Sequence, residues 1–257
     1  MKTYLDEILA RHREMAAGDP RALDDLVAEA AEYPPTRGFR AALAASDRLA
    51  VISEIKRRSP SKGDLNADLD PAEMARVYER GGAACLSVLT DTEFFGGSVT
   101  DLQAARRACT LPVIRKDFTV CAHDVADARL MGADCVLLIA AALDPHELAD
   151  LHSFASGIGL DVLVEIHDEI ELEVALNAGA TMGGVNQRDL VTFQVDHARA
   201  IRVGKVIPDS VVRVAESGVR GPDDARALHQ AGFDAVLVGE TLVTSPDPAG
   251  LIADMTS

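Results

Sequence analysis

The chain has 257 residues, 48% of them apolar, with no Trp; this composition excludes a disordered chain, and the length suits one closed α/β barrel or two smaller domains. Its 41 acidic and 25 basic residues leave a formal charge of -16, which excludes nucleic acid and anionic membranes as partners unless the cations are segregated, but leaves room for an anionic small molecule. The four cysteines, Cys85, Cys109, Cys121 and Cys135, form no CxxC pair and have no His at ligand spacing, so no metal site and no disulfide framework is expected.

The opening MKTYLDEILARHREM lacks the apolar stretch of a signal peptide, and no apolar run reaches bilayer length, so a cytoplasmic location is expected. DEILARHREMAA and ALDDLVAEAAE have helical periodicity, and PPTRGF reads as a turn into RAALAAS. Residues 1–47 are thus predicted to be a helical extension packed on the remainder, residues 48–257. Its expected role is to cover apolar surface, with partial closure of a site as the alternative.

From about Arg48, eight short apolar runs follow: LAVISEIK, ACLSVLT, LPVIRKDF, CVLLIAA, VLVEIH, MGGVNQR, VVRVAESG and AVLVGE. Amphipathic stretches such as PAEMARVYERGG, EIELEVALNAGA and PDDARALHQAGF separate them, several ending in Gly. Crossovers this long demand parallel pairing, and eight equivalent parallel strands without an edge make a closed (β/α)8 TIM barrel. A doubly wound open sheet is the alternative. It is weakened because no strand leads into GxGxxG and the polar residues are spread over many strand ends.

In such a barrel an ionisable group at the last positions of a strand points to the catalytic face. Period-two alternation puts Glu54 and Lys56 on one face of the first strand, while Lys116 ends the third and Glu165 the fifth. With Asn186, Glu216 and Ser217 from strands six and seven they predict a catalytic set; the competing reading is a network of structural ion pairs. His167, just past Glu165, is expected to face outward or lie in a loop. Gly218 and Gly239 open helical segments after strands seven and eight, where backbone N–H groups can approach phosphate, and Ser59 in the SPSKG loop can add a hydroxyl. Phe94, Phe95 and Phe118 lie beyond strand ends, placed either for core packing or as a platform for a planar ring.

Through SEIKRRSPSKG, LTDTEFFGGS, PVIRKDF, LVEIHDEIELEVAL, GVNQRDL, VAESGV and LVGETL, in that order, the chain resembles the indole-3-glycerol phosphate synthase family, and PPTRGFRAAL resembles the family's N-terminal segment. The resemblance implies a barrel enzyme that needs no cofactor or metal. Its reaction would be closure of 1-(2-carboxyphenylamino)-1-deoxyribulose 5-phosphate to indole-3-glycerol phosphate, with loss of carbon dioxide and water. It further implies Lys116 as general acid, its proton made transferable by apolar neighbours. Lys56 would pair with the anthranilate carboxylate and aid hydroxyl departure, and Glu165 would be the catalytic carboxylate. Glu54 would hold the lysines in register, with Asn186, Glu216 and Ser217 on substrate hydroxyls. Ser59, Gly218, Gly239 and Glu240 would take the phosphate, Phe94, Phe95 and Phe118 the aromatic ring, and Arg188 a supporting place.

The chain departs from the family pattern at Gln187, where a second Asn is usual, at Thr241, where Ser is usual, and over residues 119–129. Two other functions stay open: a phosphosugar aldolase using Lys56 or Lys116 as a Schiff-base amine, which needs a lowered lysine pKa, and a silent homologue that binds a pathway partner. No heptad or large apolar patch is legible, so a monomer is expected.

Overall fold

The computed structural model describes residues 3–59, 62–189 and 194–257; Pro60 and Ser61 of the SPSKG loop and Leu190 of NQRDL lie outside these. Eight parallel strands close into a barrel: β1 (Ala50–Ile55), β2 (Cys85–Leu89), β3 (Val113–Lys116), β4 (Cys135–Ile139), β5 (Asp161–Ile166), β6 (Met182–Asn186), β7 (Val212–Glu216) and β8 (Ala235–Val238). All eight predicted runs are strands, each paired with its chain neighbours, and β8 pairs with β1 to seal the ring. The open-sheet alternative is thereby overturned. A two-stranded antiparallel pair, Arg58–Ser59 with Gly63–Asp64, decorates the loop after β1.

Three helices precede the barrel: α1 (Tyr4–Ala17), α2 (Leu23–Ala31) and α3 (Phe39–Ala44). Around it lie α4 (Pro71–Arg80), α5 (Val99–Ala108), α6 (Ala122–Met131), α7 (Pro145–Gly157), α8 (Glu169–Asn177), α9 (His197–Gly204), α10 (Pro222–Gln230), α11 (Glu240–Val243) and α12 (Pro248–Met255). Local chemistry sets their starts. Asp70 and Asp144 accept from the first free backbone N–H groups of α4 and α7, each followed by a Pro whose missing N–H costs nothing at that position.

Strand alternation divides the apolar residues into two cores. One lies between strands and helices and includes Val51, Leu86, Val136 and Val164. The other fills the barrel from its N-terminal end with Ala50, Ile52, Cys85, Ile114, Leu137, Leu163 and Val214. Phe39 and Leu43 of α3 belong to this inner core, and α3 touches β2 and β7, so it forms the barrel's floor. Phe39→Ala should lower unfolding stability by about 3–5 kcal/mol, read by urea titration, because Phe39 is 0% exposed there.

α2 packs on α6. α1 runs to the opposite end, where Tyr4, Leu5 and Ile8 reach the cavity described below. The extension packs Phe39 and Leu43 into the inner core and takes part in walling the mouth.

Candidate active site

A cavity of about 620 Å3 opens at the C-terminal ends of the strands. The alternation that puts Ala50 and Ile52 inside the barrel also turns Glu54 and Lys56 inward, above the apolar layers. Of the residues expected to form the site, Glu54, Lys56, Ser59, Phe95, Lys116, Phe118, Glu165, Asn186, Arg188, Glu216, Ser217, Gly218, Gly239 and Glu240 all line this cavity. Phe94 does not: its ring packs edge-on against Tyr4, with centroids 5.8 Å apart. Phe95 and Phe118 lie 6.2 Å apart and tilted, forming one apolar wall.

At the centre Lys116 Nζ is 3.3 Å from Glu165 Oε2 and 3.7 Å from Glu216 Oε2. Asn186 Nδ2 donates to Glu165 Oε1 at 2.9 Å, Arg188 N donates to Asn186 Oδ1 at 3.0 Å, and Lys56 pairs with Glu54. Burial raises the proton affinity of the Glu165 carboxyl, but the Lys116 ammonium, His167 and the Asn186 amide outweigh it and hold the group below its usual range. Glu216 behaves oppositely: burial, then the charge of Glu165, push its pKa up to about 8.

Lys116 corrects an expectation. Burial alone would loosen its proton, yet Glu165, Glu216 and Glu54 hold it above the ordinary lysine range. Carboxylates, not apolar groups, dominate its surroundings.

Because Glu216 binds its proton more tightly folded than unfolded, it contributes stability below the unfolded carboxyl value of 4.5 that is lost as pH rises through about 8. Thermal melts of the native chain should therefore fall across this window, and Glu216→Gln should flatten that fall. Equal slopes for both proteins would show that Glu216 ionises normally.

Two glycines make this ionic set possible. A Cβ built at Gly184 on β6 would collide with Glu216 Oε1 and lie 3.0 Å from its Cδ; one at Gly239 would collide with Glu54 Oε1 and lie 3.1 Å from Lys56 Nζ. Gly239 thus leaves room for a carboxylate as well as backbone approach. Gly184→Ala should cost about a hundredfold in kcat/KM through displacement of Glu216, measured by steady-state kinetics on folded protein.

At the β7 end Ser217 has φ 67°, the one non-glycine with positive φ among the described residues, and Gly218 follows at 72°. Gln187 explains how that turn is held: its Nε2 donates to Ser217 O at 2.8 Å, and its Oε1 meets His197 Nδ1 at 2.8 Å. Thr241 Oγ1 donates to Val219 O at 2.7 Å. Both departures from the family pattern therefore support the loops; Gln187 is not among the residues lining the cavity, whereas Thr241 is. Nearby, the buried Ser59 Oγ has no hydrogen-bond partner among the described residues, and Lys62 Nζ lies 3.4 Å from Glu240 Oε1. In the atypical 119–129 segment, Asp124 accepts from Val120 N and Cys121 N, which fixes the start of α6.

His167 lies in the turn between β5 and α8, one of its two expected placements, with its side chain 11% exposed, Nε2 3.7 Å from Glu165 Oε1 and Nδ1 3.0 Å from Glu171 Oε2. Sequence reasoning also missed a cluster where α1 meets the mouth. His12 Nε2 is 3.1 Å from Asp91 Oδ2 and 3.8 Å from Asp117 Oδ1, and its ring lies 5.6 Å from that of Phe118. Asp91 and Asp117, in LTD and RKD, sit just past strand ends and could have been found by the rule that found Lys116; nothing in the sequence pointed from His12 to them.

A family model described as "Indole-3-glycerol phosphate synthase" matches residues 5–255 of the chain. Among curated relatives, "Indole-3-glycerol phosphate synthase" of Streptomyces griseus subsp. griseus is 49% identical, covering 99% of this chain and 95% of the relative. "Indole-3-glycerol phosphate synthase 2" of Streptomyces coelicolor is 50% identical, covering 95% of each. Among solved structures, thiamine phosphate pyrophosphorylase from Pyrococcus furiosus aligns with a TM-score of 0.60 at 16% identity, over 80% of this chain and 93% of that one, a likeness of fold alone.

Proposed function

The chain belongs to the indole-3-glycerol phosphate synthase family, and from that membership we infer its reaction. It is a carboxy-lyase of tryptophan biosynthesis that closes 1-(2-carboxyphenylamino)-1-deoxyribulose 5-phosphate to indole-3-glycerol phosphate, releasing carbon dioxide and water. The observation that carries this reading is near full-length identity of 49–50% to relatives of that name. Two lysines and the carboxylates of Glu54, Glu165 and Glu216, gathered in one cavity, support it chemically.

The proposed division of labour takes up the roles that the family resemblance implies, and the contacts in the cavity support it. The ring carbon bearing the carboxylate attacks the ketone, and Lys116 protonates the oxygen as the C–C bond forms. Loss of carbon dioxide returns the electron pair to the ring. Lys56 first pairs with the carboxylate, then protonates the departing hydroxyl, while Glu165 steadies the cationic ring and removes a proton from the methylene beside nitrogen. Glu54, which pairs with Lys56, and Glu216, which lies against Lys116, hold the lysines in register. Asn186 and Ser217 position substrate hydroxyls.

The phosphate is placed at Ser59, Gly218, Gly239 and the backbone of Glu240, where Lys62 also reaches the cavity wall. The aromatic ring is placed against Phe95 and Phe118, with Arg188 supporting and Phe94 acting at one remove through Tyr4. A cytoplasmic monomer acting without cofactor, in contact with other tryptophan-pathway enzymes, completes the reading; no described helix is long and apolar enough to cross a membrane.

The aldolase alternative needs a lysine of lowered pKa, and Lys116 is shifted the other way. Incubation of the protein with the carboxyphenylamino substrate, without added metal or cofactor, should give rising indole fluorescence. No rise with folded protein would favour the phosphosugar lyase or the silent homologue.

A further inference from the structure

The apolar wall of the cavity is built on two aspartates. Asp91, just past β2, accepts from Phe94 N at 2.6 Å and Phe95 N at 3.2 Å, and Asp117, just past β3, accepts from Phe118 N at 2.8 Å. Each carboxylate thus fixes the backbone of the phenylalanines in its own loop. The two strand ends are tied to each other through Thr90 Oγ1, which donates to Asp117 Oδ2, while Arg115 supplies the counter-charge of Asp117 at 3.1 Å.

His12 joins the loops a second time, from α1. Its Nε2 stands 3.1 Å from Asp91 Oδ2 and 3.8 Å from Asp117 Oδ1, so one nitrogen faces both carboxylates on oxygens next to those that hold the phenylalanine backbones. Its ring also backs that of Phe118, with centroids 5.6 Å apart and planes tilted by 44°. Burial disfavours charge on this imidazole, but Asp91, Asp117 and Asp124 outweigh it and raise its proton affinity above the ordinary histidine range. The side chain is 11% exposed and does not line the cavity. It therefore lies behind the wall, out of reach of substrate, and α1 grips the same loop again where Tyr4 meets Phe94 edge-on.

We propose that His12 is a positioning residue for the aryl end of the substrate: by bridging Asp91 and Asp117 it sets Phe95 and Phe118 at the separation that receives the planar ring. Those two rings stand 6.2 Å apart, one in each loop, and a shift of either loop changes the shape of the wall. The reacting centre is held separately, because Lys116 takes its partners from Glu165 on β5 and Glu216 on β7. Loss of His12 should therefore weaken binding of the ring and spare the chemical step. The inference rests on the reading of Phe95 and Phe118 as the wall that meets the aromatic part of the substrate.

Binding is read apart from chemistry with the substrate whose ketone has been reduced to an alcohol, which cannot close, titrated by the fluorescence of its anthranilate group. For His12→Leu the Kd of this compound should rise about tenfold, while kcat with the true substrate stays within about threefold of native. His12→Asn, too short to bridge both carboxylates, should show the same loss, so the test does not depend on one variant folding. His12→Lys returns a cationic donor and should bind within about threefold of native. In a Phe118→Leu background, where the wall is already damaged, His12→Leu should add less than about twofold. Native affinity in both His12→Leu and His12→Asn, a loss confined to kcat, no recovery in His12→Lys, or a full tenfold loss in the Phe118→Leu background would overturn the assignment. Native affinity in Phe118→Leu itself would strike the wall, a different failure from that of His12.

Discussion

Replacing Lys116 by Met should lower kcat about a thousandfold and leave the barrel folded. Lys116 Nζ stands between Glu165 and Glu216, so the variant loses a proton donor and also the cation that two buried carboxylates share. An uncompensated buried charge ordinarily costs several kcal/mol, about 3–5. Here the cost is relieved, because Glu216 already holds its proton up to about pH 8 and Glu165 keeps Asn186 and His167. Lys116→Arg separates charge from chemistry: it keeps the cation but cannot release a proton near neutral pH. It should melt near the native temperature and be as inactive as the Met variant. Indole fluorescence and circular dichroism on both proteins are the measurements, and native turnover by either would remove Lys116 as the acid.

Glu165→Gln should slow turnover about a hundredfold while Glu216→Gln at pH 7 slows it far less. The two carboxylates share Lys116 but not a protonation state. Lys116, His167 and Asn186 keep Glu165 anionic against its burial, whereas burial and the charge of Glu165 keep Glu216 protonated to about 8. A neutral amide therefore resembles the working form of Glu216 and abolishes that of Glu165. Steady-state kcat at pH 7 decides, and the reverse order would exchange the roles assigned to the pair.

The barrel was legible because short runs rich in apolar residues recur eight times and the helices between carry their own stop and start signals, such as the Asp-Pro pairs at Asp70 and Asp144. Glu54, Lys56, Lys116 and Glu165 were legible because alternation fixes which way a strand residue points. What escaped was held by contacts between distant segments. His12 meets Asp91 and Asp117 across about eighty to a hundred positions, a pairing set by tertiary packing. Phe94 was assigned to substrate beside Phe95, but Tyr4 of α1 takes it out of the cavity. How tightly Lys116 holds its proton was hidden for the same reason: the carboxylates that hold it come from β1, β5 and β7, three strands far apart in sequence.

The floor made by α3 imposes an order on folding. Phe39 and Leu43 are translated before any strand, yet the inner core they join draws on Ala50, Cys85, Ile114, Cys135, Met182, Val212 and Ala235, and α3 touches both β2 and β7. A ring still missing its last strands has no complete seat for them. Phe39 and Leu43, made before every strand they pack against, are thus among the last to be shielded from water, and a chain halted before β7 carries an uncovered aromatic side chain ahead of its strands.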